Sequence, residues 1–107
     1  MIADETRNAL ASVRDILHEI GWTKRCYARG ADGVTGTNVI DPNASCFCVQ
    51  GAVQRVCAGN DMLYYHVMDA IHVELAKRKF PGSVQLFNDE APDLIDVLLM
   101  LTAAGSR

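Results

Sequence analysis

Residues 61–79 read DMLYYHVMDAIHVELAKRK, and this stretch decides the fold class. Leu63, Val67, Ile71 and Leu75 recur every four residues, with Tyr64 and Met68 beside them, so one face of a helix is apolar along its length. Asn60 or Asp61 caps its start. Lys77, Arg78 and Lys79 fall in its last turn, where cations suit the negative end of the helix dipole. A helix with one such face must bury it, and the flanking sequence supplies further helices to bury it against.

Downstream, Pro81-Gly82 breaks the chain. Ser83 to Phe87 then alternates apolar and polar residues (Val84 and Leu86 against Gln85), which predicts a strand. A last helix is expected from Pro92 to Ala104, its face made by Leu94, Val97, Leu98 and Leu101. Upstream, Asp41-Pro42 has the form of a helix start, Asp as N-cap and Pro at the first helical position. It predicts a helix from Pro42 to Cys57 with Val49, Ala52, Val53 and Val56 on its apolar face and Gly59 at its end. Gly51 inside it costs about 1 kcal/mol against alanine, which points to close backbone packing there. Further back, Trp22 to Arg29 is a plausible strand, and the three glycines between Gly30 and Asn38 mark a mobile loop without the Lys-Ser/Thr of a phosphate-binding loop. The first helix is expected from Asp4 to Ile20, with Leu10, Val13, Leu17 and Ile20 on one face and Gly21 as a left-handed stop. The fold class is therefore α+β, mainly α: about four helices packed with a minimal two-stranded β-ribbon, in which the two short strands pair with each other. Residues 1–107 form one domain.

Composition narrows the function classes. Of 107 residues, 50% are apolar and 21% charged, the balance of a globular chain. Six Lys/Arg face six Asp/Glu in residues 1–58, and four face seven in residues 59–107. Neither half has the basic excess that drives phosphate binding, so no nucleic-acid partner is expected. The start, MIADETR, is polar and acidic, unlike a secretory signal. The longest apolar run, Val97 to Leu101, is far short of a membrane span. A cytoplasmic location follows as the expectation, with the four cysteines reduced.

Three short motifs carry a family resemblance. They are Trp22 after the first helix, the run Cys46-Phe-Cys48-Val-Gln-Gly51-Ala52, and Phe87-Asn88-Asp89 before the last helix. Together they resemble an uncharacterised bacterial and phage domain family with a C-x-x-G-A helix segment and a W-N-D segment, Phe87 standing where the tryptophan is usual. The resemblance implies a shared fold and a bacterial or phage context, and no settled activity comes with it.

The residues with chemical potential each have a structural reading beside the functional one. Cys46 or Cys48 could act as a nucleophile, with His66 or His72 as base and Asn88 or Asp89 as orienting group. Yet a helix from Pro42 puts Cys48 about two turns in, past the reach of the dipole, and both histidines lie within the third helix, so buried packing is favoured. A zinc site is disfavoured because C-x-C on a helix points its two thiols about 200° apart, and no metal is assigned. His18, His66 and His72 are expected in ordinary surface or structural roles. Asn88 and Asp89 suit the capping of the last helix. Trp22, Tyr27, Tyr65, Asn88 and Asp89 are the candidates for ligand or partner contact. The leading expectation is a non-enzymatic accessory or interaction module acting on another protein and needing no cofactor. A small thiol-dependent hydrolase-like enzyme and a small-ligand binder, with Trp22, Tyr27, Asn88 and Asp89 around a pocket, are the alternatives.

Overall fold

The stripe on residues 61–79 does form a helix, α3 (Asp61–Lys77), in a computed structural model that describes residues 2–106; Met1 and Arg107 lie outside it. Asn60 caps it, its Oδ1 accepting from Leu63 N at 3.1 Å. Val67, Met68, Ala70, Ile71 and Leu75 are buried as the four-residue spacing requires. Against α3 pack α1 (Asp4–Asp15) and α5 (Leu94–Ala104), and α1 in turn packs against α2 (Val49–Val56). The cluster between them includes Leu10, Val13, Leu17, Phe47, Val53, Ile71, Met100 and Leu101, all fully buried. Each such side chain contributes about 1.5–3 kcal/mol by leaving water.

The mainly helical α+β class holds, with five helices among the described residues rather than about four. The additional one is α4 (Val84–Glu90), which replaces the strand expected at Ser83–Phe87. Ser83 is its N-cap, Oγ accepting from Leu86 N at 3.1 Å. Val84 and Asn88, four apart, face inward, while Leu86 stays 43% exposed. A run of three alternating residues fits one helical turn as well as a strand, and the serine cap after Pro81-Gly82 decides between them.

The second helix begins at Val49, not Pro42. Asp41 spends its capping capacity on a turn instead: its Oδ1 accepts from Asn43 N at 2.9 Å and its C=O from Ala44 N at 3.1 Å. Cys46–Phe47 is then strand β2, antiparallel to β1 (Ala28–Arg29) in the register Ala28↔Phe47 and Arg29↔Cys46. The ribbon therefore pairs the end of the strand expected at 22–29 with residues 46–47 across the glycine loop, and not with residues 83–87. Trp22 meets Phe47 from the other side in a parallel bridge, with Thr23 N donating to Phe47 O at 2.9 Å and Phe47 N to Gly21 O at 3.0 Å.

The first helix also ends differently. After Asp15 it widens into a π-helical turn, Ile16–Ile20, closed by Gly21 N on Ile16 O at 3.2 Å. The extra residue per turn rotates Ile20 out of the apolar stripe, and it is 49% exposed. Gly21 stops the helix with an extended backbone rather than a left-handed one. Its bare flank lies where a Cβ would sit 2.5 Å from Ser45 O.

The glycine loop carries its own hydrogen bonds. Asp32 Oδ1 accepts from Val34 N and Thr35 N at 2.9 and 2.8 Å, and Thr35 Oγ1 donates to Oδ2. These bonds, the hydroxyl first, hold the Asp32 carboxyl down at about 2. Arg29 Nη1 adds a bond to Val34 O at 2.6 Å, tying the loop to β1.

Candidate functional site

The motif residues converge on Asn88. Its side chain, on α4 and 1% exposed, makes four hydrogen bonds, the full capacity of a carboxamide with two acceptor and two donor positions. Oδ1 accepts from Trp22 Nε1 at 2.8 Å and from Val49 N at 3.0 Å. Nδ2 donates to Thr23 O at 3.0 Å and to Asp89 Oδ1 at 3.2 Å. Val49 opens α2, so its N–H has no partner within the helix, and Asn88 satisfies it from another element. The cap of α2 itself is Cys48, whose Sγ accepts from Gly51 N at 3.3 Å. Asn88 and Asp89 do not cap the last helix; Asp93 does, accepting from Asp96 N at 3.1 Å.

Asp89 holds the neighbouring turn. Its Oδ1 accepts from Arg25 N at 2.8 Å, and Arg25 sits in the left-handed region with φ 65°. That region is uncommon for any residue but glycine, asparagine or aspartate and is kept only where the surroundings enforce it. Two residues on, Tyr27 O accepts from Cys48 N at 3.2 Å, and Gly51 presses so close that an added Cβ would lie 1.9 Å from the same oxygen. The left-handed turn at Arg25 brings residues 25–27 over the start of α2.

Between these segments lies a cavity of about 510 Å³ lined by Arg25, Cys26, Tyr27, Cys48, Gln85 and Asp89. Gln85 Nε2 donates to Tyr27 Oη at 2.7 Å, and Cys26 Sγ donates to Ala28 O at 3.0 Å. The guanidinium of Arg25 makes no hydrogen bond or ion pair among the described residues, and Asp89 Oδ2 likewise accepts none. Tyr27 and Asp89, read from the sequence as contact candidates, thus line one cavity. Trp22 and Asn88 do not line it; they form the hydrogen-bonded frame on which it is built. Tyr65 lies elsewhere, on α3 and 66% exposed, edge-on to Tyr64 and beside a second hollow with Gln54, Cys57 and Asp61. Arg25, Cys26 and Gln85 were not singled out from the sequence. A left-handed arginine leaves no local signal, and Gln85 reads as the solvent face of a strand that does not form.

Cys48 corrects two expectations. It lies at the very start of its helix rather than two turns in, and Cys46 lies on a strand rather than on the same helix. The helix start favours a thiolate, but burial pushes the Cys48 thiol up from its ordinary value, against the N–H groups of Gly51 and Gln50. His18, His66 and His72 are exposed and none lines the cavity; His66 borders a different hollow with Thr6 and Asp69. No histidine therefore stands beside the thiol, and the carboxylate that does, Asp89, adds to the upward push. Cys46 is half-buried and does not line the cavity either. Among the described residues, no group of three or more His, Cys, Asp or Glu could hold a metal ion.

The raised thiol has a checkable sign. A group whose neutral form the fold favours contributes stability below its unfolded value, and that contribution is lost as pH rises through the higher folded value. Native-state alkylation of Cys48, followed by mass spectrometry, should be slow at pH 7 and accelerate only above pH 9.0, the ordinary thiol value. The urea midpoint should fall in the same alkaline range. Labelling of Cys48 at pH 7 as fast as a free thiol would contradict the burial.

Fold and site together define a class: a small, mainly helical α+β protein with a cavity of mixed lining beside an asparagine hub. The particular family follows from the whole sequence. The model of a family of unknown function (DUF6197) matches residues 1–107, and the chain belongs to that family. No curated protein and no solved structure matches the chain.

Proposed function

We propose that this chain is a non-catalytic binding module whose ligand enters the cavity beside Arg25 and Asp89. The observation that carries this reading is a contrast within a few residues. Asn88 has every hydrogen-bonding position filled, while next to it the Arg25 guanidinium and Asp89 Oδ2 have none filled. Arg25 is exposed and Asp89 half-buried, so water serves both groups until a ligand replaces it, and a rigid frame that presents such groups at a concavity is the usual form of a small-molecule site. A thiol enzyme is the weaker reading, because Cys48 is buried, raised and without a histidine. An accessory role in the cytoplasm of a bacterium, through a phage or prophage gene, belongs to the same proposal. No helix is long and apolar enough to cross a membrane among the described residues.

A second reading rests on a different surface. Ile95 and Leu99, one turn apart on α5, are 64% and 56% exposed, and an apolar strip of that kind suits a protein partner. Amide NMR spectra of the intact protein, recorded with a library of small polar metabolites, separate the two. The cavity reading expects shifts at Arg25–Tyr27, Cys48 and Gln85–Asp89. It is lost if no compound moves those resonances, or if every shift falls on α5.

A further inference from the structure

We infer that the ligand is a zwitterion the size of a free amino acid, its carboxylate on Arg25 and its ammonium on Asp89. This rests on the binding-module reading above and names the chemistry of that site.

The first ground is charge. Arg25 and Asp89 line the same cavity, and Arg25 N is 2.8 Å from Asp89 Oδ1. The guanidinium is therefore tethered within about one arginine side chain of the carboxylate. Even so, the two side chains do not pair: the ion pairs among the described residues are Arg7–Asp4 and Arg78–Glu74. Asp89 instead spends Oδ1 on the Arg25 backbone and the Asn88 amide, and leaves Oδ2 without a partner. A simple anion would gain from Arg25 and be repelled by Asp89, and a simple cation would meet the reverse. Only a molecule carrying both charges satisfies both groups.

The second ground is backbone. Arg25 is held at φ 65°, where asparagine or glycine would sit with less strain. Asp89 holds that conformation through the Arg25 amide, so the same carboxylate that would take the ammonium fixes where the Arg25 side chain leaves the backbone. The result is two opposite charges on one cavity wall, the exposed guanidinium free to turn onto a carboxylate as a bidentate fork and Asp89 able to accept from an ammonium.

The third ground is the rest of the lining. The cavity, about 510 Å³, is of small-molecule size. The thiols of Cys26 and Cys48 give it a soft, weakly polar surface suited to an aliphatic or thioether side chain. The Tyr27–Gln85 pair offers a hydroxyl and a carboxamide at its edge.

The test is a titration of the intact protein with the twenty free L-amino acids, read by calorimetry and by the amide shifts named above. It continues with the N-acetyl and carboxamide derivatives of the tightest binder. One or more free amino acids should bind, and capping either charge should weaken binding by about tenfold or more, the loss of one charge-assisted contact. Arg25→Asn keeps the left-handed backbone and its amide on Asp89 while removing the guanidinium. In that variant the free acid and its carboxamide should bind alike. Asp89→Asn keeps the Oδ1 acceptor and should make the free amine and its N-acetyl form bind alike. Capped derivatives that bind the native protein as tightly as the free amino acid overturn the inference. If no amino acid binds but other metabolites move the cavity resonances, the zwitterion is wrong and the binding-module reading stands. Silence from every compound removes both.

Discussion

Asn88→Leu should lower the unfolding free energy by about 3–5 kcal/mol, although leucine nearly matches asparagine in volume. The substitution removes two acceptor contacts and two donor contacts at a side chain that is 1% exposed. Trp22 Nε1, Val49 N and Thr23 O lose a buried partner, and an unsatisfied buried polar group costs about 1–3 kcal/mol. Some of that is recovered as water reaches the half-buried Trp22 and Thr23, which keeps the total below the simple sum. For a domain of this length the melting temperature should drop by about 15–30 °C. Total stability of small proteins is about 5–15 kcal/mol, so a large part of it rests on this one side chain. Urea unfolding followed by circular dichroism gives the number. Trp22→Phe is the informative companion, because it removes only the Nε1 contact and should cost about 1 kcal/mol. Near-native stability of Asn88→Leu would mean that the four bonds are not formed in solution.

Gly51→Ala should destabilise by about 2–4 kcal/mol at a position where helix propensity alone favours alanine by about 1 kcal/mol. The new Cβ would lie 1.9 Å from Tyr27 O and 2.7 Å from Tyr27 C, both backbone atoms with nowhere to go. Either α2 retreats from residues 26–28 or the ribbon shifts. In both cases the Cys48 N to Tyr27 O bond lengthens and the cavity wall moves, since Tyr27 and Cys48 both line it. Ligand binding should therefore fall along with stability. Gly33→Ala is the control: its φ of 72° carries a local strain cost of about 1 kcal/mol, but an added Cβ meets nothing within 4 Å. It should lose less stability than Gly51→Ala and leave the cavity amides unmoved. A Gly51→Ala protein as stable as the native chain would show that the two segments are further apart than the structure places them.

The sharpest contrast between what could and could not be read lies within one short run, Cys46 to Gly51. The need for close packing at Gly51 is visible in the sequence, because a glycine inside an apolar helical pattern has a cost that something must offset. What presses against it is not visible, since Tyr27 is twenty-four positions away and belongs to a loop. The place of Cys48 at the helix start is hidden for a related reason. Asp41-Pro42 has the same form whether it opens a helix or a turn, and the choice is made by β2 pairing with Ala28–Arg29, which removes Cys46–Phe47 from the helix.

The sequence by itself determined the three longer helices, the burial of their apolar stripes, and the interruption of the chain at residues 81–82. Those properties depend on residues three or four apart, whose periodicity sets which face meets the core. Only the tertiary structure decided the ribbon pairing, the left-handed turn at Arg25, and the partners of Asn88. Each rests on hydrogen bonds between distant positions, 66 residues apart for Trp22 to Asn88, 39 for Val49 to Asn88 and 64 for Arg25 to Asp89. A buried carboxamide must fill its donors and acceptors, but which groups fill them is settled only when the helices bring those groups within about 3 Å of it.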